Sequence, residues 1–163
     1  MRIISSLAAL IFLMTLISSC DKENEIDISY NSYQDYSVRM FYETDEHGTF
    51  SLLNDTSDLN TVFTQKSVDD NSNLINSDDF TNKIGIAITK DLPTCSCPDM
   101  SIETINLKNN KLIINYNLPE YNSDNLHLCE VICRPYLLIM IKKENFTSID
   151  FYENGILVKS IDK

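Results

Sequence analysis

The chain lacks tryptophan, has only 3 glycines and 4 prolines in 163 residues, and holds just 2 histidines. So little Gly and Pro excludes collagen-like and Pro/Gly-rich low-complexity chains. It also leaves no glycine-rich loop to cradle a phosphate. Basic residues are scarce as well: 13 Lys and Arg stand against 24 Asp and Glu, for a formal charge of −11. No basic stripe is present, which argues against nucleic acid and against an electrostatic role at a membrane surface. His47 and His127 lie outside any G-x-S-x-G, H-E-x-x-H or catalytic-cysteine context and read as loop histidines. Carboxylates are so frequent that no pair stands out as an acid–base couple. The reading is therefore of a non-enzyme, with no cofactor and no bound metal expected.

What is present begins at the amino terminus. Met1-Arg2 is a short basic start, and residues 3–17 are apolar apart from Ser5, Ser6 and Thr15. The run is as long as a signal-peptide core and short for a membrane span. It ends in Leu16-Ile17-Ser18-Ser19-Cys20, which resembles the lipobox of bacterial lipoproteins: an aliphatic residue, two small residues, then the lipidated cysteine. The resemblance implies a diacylglyceryl group on the Cys20 thiol, cleavage between Ser19 and Cys20, and acylation of the new amine. Two or more acyl chains make a stable anchor. The alternative is an ordinary secretory signal with a coincidental cysteine. Asp21-Lys22-Glu23-Asn24-Glu25 follows and resembles the surface-export signals of some Gram-negative lipoproteins. In other bacteria an Asp directly after the cysteine favours the inner membrane. The expected location is the cell envelope, with the outer membrane and its surface favoured.

The segmentation expected is a signal peptide over 1–19, an acidic tether over 20–36 and one β-rich domain over 37–163. Tyr30, Tyr33 and Tyr36 within the tether read as incidental spacing. Residues 38–43 and 49–53 flank a turn-like Thr44-Asp45-Glu46-His47-Gly48 and predict a hairpin. Asp55-Thr56-Ser57-Asp58 offers helix caps, and Leu59, Val62 and Phe63 follow at i, i+3, i+4, predicting a short helix over 57–65. Residues 66–79 are rich in Asp, Asn and Ser but lack the spacing and central Gly of a calcium loop, so they read as a solvated loop.

Strands are predicted over 83–89, 102–107, 111–118, 136–141, 147–152 and 156–159. Ile84, Ile86 and Ile88 alternate with Gly85 and Ala87, giving a buried face and a slim one. Asn109-Asn110 and Asn154-Gly155 are the turn signals of tight hairpins. Leu112, Ile114, Tyr116 and Leu118 share one face, and the apolar 136–141 run reads as buried on both faces. The fold class is mainly β: a small antiparallel β-sandwich or barrel with one short helix, no internal repeat and no second core.

Beyond Cys20, the cysteines are Cys95, Cys97, Cys129 and Cys133. An even number in an exported chain reads as disulfides. A Cys95–Cys97 ring would be strained, so bridges between the two loops are expected, the first stabilising by roughly 3–4 kcal/mol and a second adding less. A four-cysteine zinc site and a redox pair activated beside Arg134 are the sharper alternatives.

The order of motifs then suggests a family. Asp79-Phe80 precedes a strand and Leu92-Pro93-Thr94; a hairpin follows, then Arg134-Pro135-Tyr136-Leu137-Leu138-Ile139 and Ser148-Ile149-Asp150-Phe151. This resembles the C-terminal domain of the protease complex subunit PrcB family, over residues 79–152. The family has a Gly-rich turn where this chain has Cys95-Ser96-Cys97. Because the family places that turn near the loop before Pro135, the resemblance also implies cross-loop disulfides. It offers no catalytic residues and implies an accessory role toward an exported protease. The expectation is a lipid-anchored envelope binding or accessory module. The alternatives are a thiol-redox activity, a metal-dependent activity built on the four cysteines, or a purely structural surface lipoprotein.

Overall fold

A computed structural model describes residues 25–40, 42–44, 47–66, 74–94, 96–120 and 132–163. Strands are numbered in chain order. One five-stranded sheet has the order β1 (Ile26–Asp27), β7 (Ser101–Lys108), β8 (Lys111–Asn117), β10 (Ser148–Glu153), β11 (Ile156–Asp162). A four-stranded sheet has the order β2 (Tyr30–Ser32), β9 (Tyr136–Lys142), β6 (Lys83–Thr89), β4 (Thr49–Leu53). A ribbon of β3 (Tyr36–Val38) and β5 (Phe63–Gln65), with helix α1 (Thr56–Val62) and a 3-10 turn at Ser77–Thr81, completes the fold.

The two large sheets pack face to face. Ile84, Ile86 and Ile88 of β6 and Ile139 and Ile141 of β9 meet Leu112, Ile114 and Tyr116 of β8 and Ile149 and Phe151 of β10. The Phe50 and Phe151 rings lie 4.6 Å apart across the interface. The protein is thus mainly β with one α-helix, a sandwich with open edges rather than a closed barrel. One pair departs from the antiparallel expectation: β8 and β10 run parallel, Ser148 opposite Lys111 through Glu153 opposite Tyr116. The cause is topological. The chain leaves β8, crosses to the other sheet as β9, and returns beside β8 in the same direction.

The expectation of a single core is corrected. Tyr33, Tyr36, Leu53, Leu59, Val62, Phe63, Ile75 and Phe80 form a second cluster against Ala87, Leu138 and Met140. It fills the outer face of the four-stranded sheet beneath the ribbon and α1. The slim face of β6 exists because this cover sits close. A Cβ added to Gly85 would lie 2.9 Å from the Leu53 Cβ and 3.2 Å from the Met140 sulfur. Gly85→Ala is expected to lower stability by about 1–3 kcal/mol through overpacking, seen as a lower urea midpoint at unchanged m-value.

The tether is corrected too. From Ile26 onward the segment is built into both sheets: β1 pairs with β7 and β2 with β9. Tyr33 and Tyr36 are 4% and 1% exposed, and the Tyr33 N–H donates to the Leu138 carbonyl. The tyrosine spacing therefore marks core anchors. The predicted 38–53 hairpin is also corrected. Thr49–Leu53 is a strand but pairs with β6, while β3 pairs with β5. The turn residues encode a reversal, not the partner. Helix α1 starts as expected, with the Asp55 carboxylate accepting from the Ser57 and Asp58 N–H groups at 2.7 and 2.9 Å. It stops at Val62, because β-branched and aromatic residues follow that fit the ribbon better.

Turns at Asn109-Asn110 and Asn154-Gly155 have the expected positive φ, 52° and 60° in the first and 50° and 80° in the second. Asn109-Asn110 joins β7 to β8 and Asn154-Gly155 joins β10 to β11. The sandwich therefore has two poles. β6, β8 and β10 start at one, beside Lys83, Lys111 and Ser148; β7, β9 and β11 end there, at Lys108, Lys142 and Asp162. At the other pole lie Thr89, Asn117, Glu153 and Tyr136.

Candidate functional site

The second pole collects most of the chemistry. Cys97 and Cys133 are joined there by a disulfide, with Cα atoms 5.3 Å apart. It is a bond between the two loops, as expected for this pair. An isolated bridge places Leu92 opposite Cys133, with N–H to O distances of 2.9 and 3.0 Å. Cys133 is buried by this contact, while Cys97 lies at the surface. Cys20, Cys95, Cys129 and His127 fall outside the described residues. His47 is exposed, in the loop before Gly48.

Arg134, weighed above as an activating cation, is held by structure. Its Nε lies 3.0 Å from Asp91 Oδ1, and its Nη1 donates to the Arg39 and Met40 carbonyls at 2.9 and 2.8 Å. A planar, five-donor fork is suited to gathering carboxylate and backbone oxygens in this way. Arg134 thereby fastens the chain after β3 to the disulfide loop. Among the described residues, no group of three or more His, Cys, Asp or Glu side chains could hold a metal. Sulfurs bonded to each other are not thiolates, so in this oxidised state Cys97 and Cys133 are not ligands.

The sequence reading missed a buried ion pair. Lys90 Nζ lies 2.8 and 2.7 Å from the two Glu153 carboxylate oxygens, and the Tyr116 hydroxyl donates to Glu153 Oε2 at 2.8 Å. Lys90 continues from β6 and Glu153 ends β10, so the pair clamps one sheet to the other. Burial, then the bond to Glu153 and its charge, push the Tyr116 hydroxyl far above its usual pKa. Tyr116 is therefore a fixed donor. Nothing in an acidic sequence singles out Glu153; the only local signal is a lysine directly after an apolar strand. Asn154 braces the same corner. Its side-chain amide exchanges hydrogen bonds with the Leu118 N–H and carbonyl at 3.0 and 2.9 Å.

Two concave surfaces adjoin this pole. A cleft of about 390 Å³ runs beside the disulfide, lined by Cys97, Pro98, Met100, Pro135, Tyr136 and Lys66 among others. A wider depression of about 820 Å³ is floored by Val38, Met40, Tyr42 and Thr64. Apolar side chains are exposed nearby: Met40 at 79%, Ile132 at 58% and Ile156 at 69%. Ile156 opens β11, whose Leu157 and Val158 are exposed as well. As the last strand of its sheet, β11 has no partner on its outer side among the described residues. A long apolar edge of this kind is normally blunted by charge, proline or a covering segment. Lys159 is the one basic residue along it.

No helix among the described residues is long and apolar enough to cross a membrane. No family model, curated protein or solved structure matches this chain.

Proposed function

We propose that this chain is a non-enzymatic, lipid-anchored binding or accessory module of the cell envelope. Cys20 is the anchor, and the outer membrane is the favoured site. The β11 edge is the working surface and takes an extended segment of an exported protein partner. The observation that carries this reading is the run Ile156-Leu157-Val158, exposed on an edge strand. Strand addition gains affinity from main-chain hydrogen bonds and specificity from alternate side chains. The likeness of residues 79–152 to the PrcB family adds the partner class, an exported protease complex that the module helps to assemble or stabilise.

A photo-crosslinking residue at Ile156 in native membranes is expected to capture an exported protein, identified by mass spectrometry. Ile156→Asp/Val158→Asp, altering exposed positions that fold at little cost, is expected to abolish that capture. Capture unchanged by the double substitution would refute the edge as the binding surface. Metabolic labelling with a clickable fatty acid tests the anchor separately. Label is expected on the wild type and absent from Cys20→Ala; label retained by Cys20→Ala would refute lipidation at this residue.

A further inference from the structure

We propose that the lysine-bearing pole of the sandwich rests on the anionic headgroups of the anchoring membrane, so that the disulfide pole and the start of β11 face away from it. The inference rests on lipidation at Cys20. It is carried by the juxtaposition of the chain's entry point with its segregated lysines.

The entry point is set by β1. Cys20 precedes Ile26 by six residues, and six extended residues reach at most about 22 Å. Ile26 lies opposite Leu107, beside Lys108, and the Glu25 carboxylate accepts from the Asn106 amide at 2.7 Å. From there the chain runs away from this pole: Ile28 bonds back to Ile105, Tyr30 sits opposite Ile141 and Ser32 opposite Ile139. Seven-residue strands such as β6 and β9 span roughly 23 Å. A lipid tied this close to the first strand therefore holds one pole at the bilayer and leaves the other standing off it.

Charge follows the same axis. Of the 13 Lys and Arg residues, Lys83, Lys108, Lys111, Lys142, Lys143 and Lys163 gather at the entry pole. The overall charge of −11 conceals this, because it averages over the chain. Acids share the pole, and two of these lysines are paired: Asp79 with Lys83 at 3.1 Å and Asp150 with Lys111 at 2.9 Å. Asp27, Glu144 and Asp162 also lie there. The pole is thus close to balanced while the rest of the chain is strongly acidic, and an anionic surface repels it least. Lysine stems carry the ammonium groups outward to phosphate depth, and each such charge near an anionic leaflet is attracted to it.

The test uses the acylated full-length protein, reconstituted into phosphatidylglycerol vesicles and, separately, phosphatidylcholine vesicles. Outward-facing molecules are labelled with a water-soluble amine acetylating reagent and mapped by mass spectrometry. Lys66, at the opposite pole, is the internal control. In phosphatidylglycerol, acetylation of Lys108, Lys142 and Lys163 is expected to fall several-fold relative to Lys66, with little change in phosphatidylcholine. Vesicle-bound protein labelled evenly at both poles, or protected at Lys66, overturns the orientation and leaves the anchor standing. Equal protection in both lipids overturns the headgroup chemistry. Protein that fails to float with either vesicle overturns the anchor, and the orientation with it.

Discussion

Lys90→Met is expected to destabilise the protein by about 3 kcal/mol, and Lys90→Met/Glu153→Leu to recover most of that loss. The Lys90 and Glu153 side chains are 8% and 17% exposed. Removing the lysine leaves a carboxylate largely out of water with one neutral donor, the Tyr116 hydroxyl. Breaking a buried pair on one side costs roughly 3–5 kcal/mol, whereas replacing both partners with apolar groups of similar volume is often neutral. The lower figure applies because Glu153 keeps some contact with solvent. Urea denaturation of the wild type, both single variants and the double variant closes the cycle. Three equal, small losses would mean that the pair does not clamp the sheets.

The disulfide is the second large contribution. Its cysteines are 36 residues apart in sequence, so in the chain-entropy model the bond stabilises by roughly 3–4 kcal/mol. The measurement belongs in a Cys95→Ala/Cys129→Ala background, where Cys97–Cys133 is the sole remaining bridge of the domain. There, reduction is expected to lower the unfolding free energy by about that amount. The m-value is expected to rise, since an uncrosslinked unfolded chain exposes more surface. An unchanged midpoint on reduction would show that the loops are held by other contacts. The Leu92–Cys133 bridge and the Arg134 contacts are the candidates for that role.

Local signals read well wherever the local residues decide the geometry. Asn109-Asn110 and Asn154-Gly155 were legible because positive φ is a property of the turn residues themselves. The apolar runs of β6 and β9 were legible because both faces are covered. Residues 26–36 were not. Their strands are two or three residues long and mostly polar, and they exist only because β7 and β9 offer open edges. The second core was hidden for a related reason. Tyr33, Tyr36 and Ile75 come from separate polar stretches and meet only in the folded chain. At the candidate site, cysteine counting anticipated a cross-loop bond, and the structure forms one between Cys97 and Cys133. It could not anticipate Lys90 beside Glu153, which depends on how the ends of two sheets align.

A chain that emerges amino terminus first cannot settle its opening strands early. β1 must wait for Leu107 and β2 for Ile139 to Ile141, and β8 gains its parallel neighbour only when Ser148 to Glu153 arrives. Nearly every pairing that defines the sandwich spans a long stretch of sequence, which slows folding and leaves strand edges bare in the meantime. The hairpins at Asn109-Asn110 and Asn154-Gly155 are the early local structures; the segment nearest the anchor is among the last to lock. During that interval the protein is a tethered, partly open sheet, and its survival depends on how quickly its final third follows.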